Sequence, residues 1–399
     1  MTTQSARLLY YLLGFVVVLG VLVAGILAFP ITLWRTGETP LPALRYLPVA
    51  AHTTQADRLW LDADPACGTG QRRDPDDCLA LLSLVAAKHL NIVGISTVFG
   101  NAPVSETDAV MRALVAEIRL QGGPALPVFL GCGAPTGRCL ESGGSSAAQV
   151  ALVEALHAGS LDYVALGPLT NLAAVLRREP GLARNISRVI AVMGRRPGHR
   201  FHPSENRATG AMLLGHGPIF RDLNAVLDPQ AVAVVLQSGI PLVLIPYTAA
   251  RAVLITSRDL DAMARAVPAG PWVASRSRAW LQFWHRDVGL DGFYPFDLMA
   301  AAYLRTPQLF RCSRVTPWVG DDARLPWFGG GPTLLVSQPD TLSLTTSELG
   351  SAIYCDALNA PLGNFFSSEA DAAPPQAVQA RPSFDWATTT RFRPALLAS

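Results

Sequence analysis

Lysine is almost absent from this chain of 399 residues: it occurs once, at Lys88, and every other basic side chain apart from histidine is arginine. That imbalance reads as genome bias rather than function. Charge of either sign is sparse, at 16% of residues, and it nearly cancels, to +2. A strongly basic surface is therefore missing, and with it any global case for a nucleic-acid partner. Half of the chain is apolar, which excludes the disordered class and provides for a substantial core. No internal repeat is visible, and no second domain stands out.

Long uncharged runs are also scarce, with one exception. Leu8 to Phe29 is 22 residues without a charge. A bilayer core needs about 20 apolar residues in a helix, whereas the apolar core of a secretory signal is usually ~7–15 residues. The run predicts an uncleaved N-terminal transmembrane helix, with a long cleaved signal sequence as the alternative. Arg7 lies on one side, Arg35 and Arg45 on the other, so the positive-inside rule is nearly balanced. The expectation is a membrane-anchored protein whose catalytic part is exported, periplasmic or extracellular. The six cysteines, Cys67, Cys78, Cys132, Cys139, Cys312 and Cys355, are consistent with export. Six cysteines allow fifteen pairings. Cys132 and Cys139 bracket a turn-rich loop, and Cys67 and Cys78 bracket part of an acidic stretch. Either pair is a candidate local disulfide, small buried thiols being the other reading.

A proline-containing linker, residues 35–56, follows the expected anchor at residues 1–34. Short apolar runs then alternate with helix-period segments. "RLWLDA", "LNIVGISTVF", "ALPVFLG", "LDYVALG", "SRVIAVMG" and "IPLVLIPY" read as buried strands. "DDCLALLSLVAAKH", "SETDAVMRALVAEIRL", "SAAQVALVEALHAG", "LTNLAAVLRREP" and "DPQAVAVVLQSG" read as helices. This alternation predicts an α/β fold: an open, mostly parallel, doubly wound (Rossmann-like) sheet with helices on both faces. Past Thr256 the pattern weakens. "AWLQFWHRDV" and "DLMAAAYLRT" look helical, "TLLVSQ" and "TLSLTTS" look like strands, and the Ala/Pro-rich "SSEADAAPPQAVQARP" looks like a loop.

The densest charge lies in "LDADPACGTGQRRDPDDCLAL", Leu61 to Leu81. Asp62 and Asp64 end the first strand, and Asp76 and Asp77 open the first helix. In open α/β sheets the working crevice lies at the carboxyl ends of the strands, so all four meet there. A helix cap explains one such aspartate. Four converging carboxylates repel one another, and a hard divalent cation relieves that repulsion.

With that stretch, "GISTVFGNA", "ALGPLTNLAAVL", "FRDLNAVLDPQAVAVVL" and "YPFDLMAA" form five ordered blocks. Together they resemble the inosine–uridine-preferring nucleoside hydrolase family, over about Leu59 to Leu304. The first block looks like that family's D-x-D-P-G-x-D-D signature opened by an insertion. The resemblance implies a nucleoside hydrolase-like domain over residues 57–399 that uses Ca2+ to cleave the N-glycosidic bond of ribonucleosides, with a small nucleoside as partner and room for a homo-oligomer. It implies that Asp64 binds the ion and takes a proton from the attacking water. Asp77, the backbone carbonyl of Thr170, and Asp297 complete the metal set. Asp76, Asn101 and Asn224 hold the ribose, and Asp62 supports the others.

The chain departs from the family at several points. Asp64 and Asp76 are twelve residues apart where the family has four, so "ACGTGQRR" must loop out. Arg72 and Arg73 on that loop either meet a phosphate or neutralise the carboxylates. Asp222 stands in place of a ribose-side glutamate. His216 falls where an asparagine is expected, with Asn206 as a competing candidate. Phe296 replaces the histidine that protonates the leaving base in purine-active members, with His285 as a substitute donor. Trp280 and Trp284 lie four apart on one helical face, where they either stack on a nucleobase or pack in the core. The rival readings are a hydrolase of another N-riboside or a modified nucleoside, and a calcium-bound nucleoside-binding protein without turnover.

Overall fold

The computed structural model describes residues 11–24, 58–141, 144–198, 222–322, 331–337 and 350–359. The first strand, β1 (Arg58–Ala63), shows why the chain folds in layers. Successive side chains of a strand point to opposite faces. Leu59, Leu61 and Ala63 enter one apolar cluster and Trp60 the other. A strand apolar on both faces must be covered on both. The first cluster is closed by α2 (Asp76–Ala86), α3 (Val104–Leu120) and, from late in the chain, α10 (Ser257–Ala266), α11 (Gly270–Phe283) and α12 (Leu298–Arg305). The second is closed by α5 (Ala147–His157), α6 (Thr170–Arg178) and α8 (Pro229–Gln237). The start of α5 is fixed by a reciprocal cap between Ser146 and Gln149.

β1 lies beside β2 (Asn91–Thr97), with β3 (Val128–Leu130) beyond it. On the other side of β1 come β4 (Leu161–Ala165), β5 (Ile186–Ala191) and β6 (Leu242–Leu244). Strand order therefore reverses between β1 and β4, and a doubly wound sheet opens its ligand crevice at that switch point. Three short helices, α4 (Thr136–Glu141), α7 (Leu223–Leu227) and α9 (Tyr247–Ala250), and a two-stranded ribbon of β7 (Ile255–Thr256) and β8 (Gly292–Phe293) fill the connections. Residues 11–24 form α1.

The sheet is mostly parallel, as expected, with six of its eight pairings parallel and the antiparallel ones gathered at one end. The nine-stranded sheet is mixed: its order is β10-β9-β11-β6-β5-β4-β1-β2-β3, and β9 (Phe310–Gly320) runs antiparallel to both β10 (Thr333–Ser337) and β11 (Ala352–Leu358). No helix intervenes between these three strands among the described residues, and a parallel neighbour needs a long crossover. The expected fold class needs correction in its transmembrane helix: among the described residues no helix is long and apolar enough to cross a membrane. The expected transmembrane helix, the membrane as a partner and the anchored, exported localisation are withdrawn on that finding. The segments "TLSLTTS" and "SSEADAAPPQAVQARP" lie outside the described residues.

All six cysteines are paired. Cys67–Cys78 and Cys132–Cys139 are the two local bridges, and Cys312–Cys355 joins directly opposed residues of β9 and β11.

Candidate active site

β1 delivers two aspartates to the switch point, and their surroundings differ. Asp62 is fully buried and fully bonded. Its Oδ1 accepts from Ser96 Oγ at 2.6 Å and Asn171 Nδ2 at 2.8 Å, and its Oδ2 accepts from Tyr163 Oη at 2.6 Å. Burial pushes its carboxyl up to about 6, against the pull of those three donors. It is a buried hub rather than an open ligand. Asn171 extends the hub: its Nδ2 also donates to Thr97 O, and its Oδ1 accepts from Cys132 N. Asn171→Ala strips partners from three buried polar groups. We expect it to cost at least about 2 kcal/mol, seen as a lower urea midpoint at unchanged m-value; an unchanged midpoint would contradict this role.

Asp64, at the end of the same strand, is buried but incompletely bonded. Its Oδ2 accepts from Asn101 N at 2.7 Å, while its Oδ1 has no hydrogen-bond partner. A Cβ on Gly100 would collide with Asp64 Oδ2, and one on Gly167 would come within 3.0 Å of Oδ1. Two glycines thus let the β2 and β4 loops close on the carboxylate. Asp64 N donates to Asp77 Oδ1 at 3.0 Å, and Asn101 Nδ2 donates to Asp77 Oδ2 at 3.3 Å. Strand end, helix start and β2 loop are joined through these carboxylates.

Asp76 and Asp77 open α2, where the positive end of the helix dipole favours anions. Asp297 arrives from just before α12, and its backbone N donates to Asp76 Oδ2 at 2.9 Å. One carboxylate oxygen from each of Asp76, Asp77 and Asp297 lies within 4.8 Å of the others. Asp76 Oδ1, like Asp64 Oδ1, is buried without a partner. Burial first, and then the neighbouring aspartates, hold Asp64 and Asp297 well above the usual carboxylate range. The same two causes push Asp77 up to about 8. Burial also raises Asp76. Orphaned carboxylate oxygens in a mutually repelling, desolvated set are the chemistry a hard divalent cation satisfies. The residues present fit such an ion.

The grouping differs from the expected one. Asp76, expected on the ribose, lies with Asp77 and Asp297, and Asp64 meets them through Asp77. Thr170 is the first residue of α6, with its hydroxyl on Asp228 Oδ2 at 2.7 Å. Asp228 also accepts from Thr136 N and Oγ1 and from Ala231 N, so one aspartate ties α4, α6 and α8 behind Thr170. Asn224 donates from Nδ2 to Leu166 O and Val192 O, the carbonyls just past β4 and β5. Asp222 is buried and accepts from Gly194 N at 2.8 Å, with its carboxyl raised to about 6 by burial. His216 and Asn206 lie outside the described residues.

The residues considered for contact with a base are placed unevenly. Trp280 and Trp284 are in the core, with centroids 6.1 Å apart and Phe283 and Tyr294 as further ring neighbours. His285 is 71% exposed and faces Asp291 at 3.4 Å. Phe296, next to Asp297, stacks on Tyr247 at 5.7 Å. Sequence reasoning missed Tyr247, whose signal was its place three residues past β6, beyond a carboxyl strand end. It also missed Asn171, which stands beside Thr170 in "GPLTN".

Comparison with known proteins agrees with this geometry. The family model described as inosine-uridine preferring nucleoside hydrolase matches residues 59–331. The chain is 29% identical over 271 residues to the pyrimidine-specific ribonucleoside hydrolase RihA of Citrobacter koseri, covering 61% of this chain and 80% of that protein. Among solved structures, the plant nucleoside hydrolase PpNRh1 superimposes with a TM-score of 0.60 at 16% identity, over 76% of this chain and 94% of that one. The purine-preferring ribonucleoside hydrolase from Gardnerella vaginalis gives 0.59 at 18% identity, over 79% and 100%. At such identities the superpositions speak for the fold alone.

Proposed function

The chain belongs to the inosine-uridine preferring nucleoside hydrolase family, and from that premise we propose that it hydrolyses ribonucleosides with Ca2+ held by the buried aspartates, Asp64 acting as the base. Membership makes it an N-ribosyl hydrolase, cleaving the N-glycosidic bond to release a free base and ribose. The observation that carries the finer reading is the convergence of Asp64, Asp76, Asp77 and Asp297, with Asp64 Oδ1 and Asp76 Oδ1 buried and unpartnered. In this reading the Thr170 carbonyl joins the aspartates as a ligand. When bound, the ion supplies a fixed positive charge that orients and acidifies a water.

The protein's own groups do the rest. A general base must be ionised and within reach of the proton it takes. Of the two Asp64 carboxylate oxygens, Oδ1 is the one without a donor, so it is the one available to take the proton. Asn101, with Asp77 Oδ2 as its anchor, presents its side chain beside the same carboxylates and holds a ribose hydroxyl. Asp222 and Asn224 complete the ribose side. Cleavage passes through an oxocarbenium-like state, and the carboxylate cluster stabilises the positive charge that develops on the sugar. Phe296 and Tyr247 form an apolar wall for the base; Phe296 offers no proton to the leaving group.

Incubating the protein with calcium and a panel of purine, pyrimidine and modified ribonucleosides tests this reading, with free ribose as the readout. Release from at least one member is expected, and its loss after chelation by EGTA. No release from any member, with calcium bound, would favour the binding protein over the enzyme.

A further inference from the structure

The insertion that separates Asp64 from Asp76 is built into the molecule at three places. At its base the Cys67–Cys78 disulfide spans a Cα–Cα distance of 6.5 Å, and both cysteines are buried. Cys78 follows Asp77 directly, and Cys67 lies three residues past Asp64. On its outer side the loop rests on α11. Gly68 takes a left-handed φ of 84°, and a Cβ there would come within 2.6 Å of Arg276 Cγ. The Arg72 guanidinium lies over the Phe283 ring, 5.3 Å from its centroid. On its inner side Arg73 Nη1 donates to the carbonyl of Asn101. Arg73 therefore bonds a backbone carbonyl rather than a carboxylate. The loop closes with Asp74 Oδ1 accepting from Asp76 N at 3.2 Å, at the start of α2.

Asn101 is the shared partner of the two carboxylates the insertion pulls apart in sequence. It holds Asp64 through its backbone N–H and Asp77 through its side-chain amide. We infer that the insertion at residues 65–75 is a positioning brace for the carboxylate pair: Arg73 fixes Asn101, Asn101 fixes Asp64 and Asp77, and the disulfide sets the spacing between them. The inference rests on the proposed reading of these aspartates as the cation site. A short turn holds two carboxylates at fixed spacing by itself; a loop of eleven residues leaves that spacing free unless bonds replace the turn. Groups that orient metal ligands are typically worth about 10–100-fold in metal affinity when removed.

The test is calcium titration calorimetry on the metal-free full-length chain, with wild type, Arg73→Met and Arg73→Lys side by side. Methionine keeps an apolar stem and loses the donor; lysine keeps one donor for one carbonyl. Arg73→Met is expected to weaken calcium binding about 10–100-fold, to lower kcat more than it raises KM, and to leave the metal-free melting temperature near wild type. Arg73→Lys is expected to regain part of the lost affinity. Equal affinity in wild type and Arg73→Met overturns the inference. So does a loss that lysine does not restore, or one matched by a drop in metal-free melting temperature. No calcium binding by the wild type overturns the cation site itself and this inference with it.

Discussion

Asp64→Asn is expected to lower kcat by about 10²–10⁴-fold, the usual worth of a positioned general base. Asparagine keeps the shape of the side chain. Its Oδ1 can still accept from Asn101 N, and it still fits between Gly100 and Gly167. What it lacks is the ability to take a proton. Metal-free stability should move the other way. Burial and the neighbouring aspartates hold the Asp64 carboxyl well above its usual range, so at neutral pH the folded protein must either bury a charge or bind a proton that the unfolded chain does not hold. Asparagine escapes both costs, and the metal-free melting temperature should rise. Lost activity with gained stability marks a group retained for chemistry rather than folding. A variant that keeps more than about a tenth of wild-type kcat would remove Asp64 from the role of base.

Much of this site was legible because its parts are local. The run of Asp62 and Asp64 at a strand end, and of Asp76 and Asp77 at a helix start, needs only the α/β alternation to bring them together. The β1–α2 and β4–α6 units sit where alternation predicts them. What was missed depends on distant partners. Tyr247 matters through Phe296, 49 residues away in sequence, and Arg73 through Asn101, 28 residues away. The strands β9 and β11, which lie between β10 and β6, escaped for a related reason. "FRCSRVTPWVG" mixes polar and apolar residues and pairs antiparallel, so it lacks the continuous apolar run that marks the central strands. Trp280 and Trp284 show the limit of helical spacing: it places them on one face but cannot say that the face is core. The N-terminal apolar run shows the same limit for length, since hydropathy counts residues, and among the described residues no helix is long and apolar enough to cross a membrane.

Metal-free protein should lose stability as pH rises, and calcium should abolish most of that loss above pH ~6. The sign follows from linkage. A carboxyl whose folded pKa is raised binds its proton more tightly in the folded state. It therefore favours folding fully below the unfolded value, and that advantage disappears as pH climbs through the folded value. Asp62 and Asp222, raised to about 6 by burial, act between pH ~4 and ~6. Both are held by protein donors, Asp62 by Ser96, Tyr163 and Asn171 and Asp222 by Gly194, so calcium leaves that part of the curve in place. Asp77, raised to about 8, extends the loss up to pH ~8, with Asp64 and Asp297 pushed in the same direction. Only this upper window belongs to the cluster. A bound cation replaces the proton as the partner of those oxygens, and at 100 times its Kd it adds about 2.7 kcal/mol. Thermal melts at pH 5 and pH 8, in EGTA and in calcium, check this. The expected pattern is a melting temperature in EGTA that is lower at pH 8 than at pH 5, with calcium raising it far more at pH 8. A calcium effect of equal size at both pH values would mean that the ion binds elsewhere than among these carboxylates.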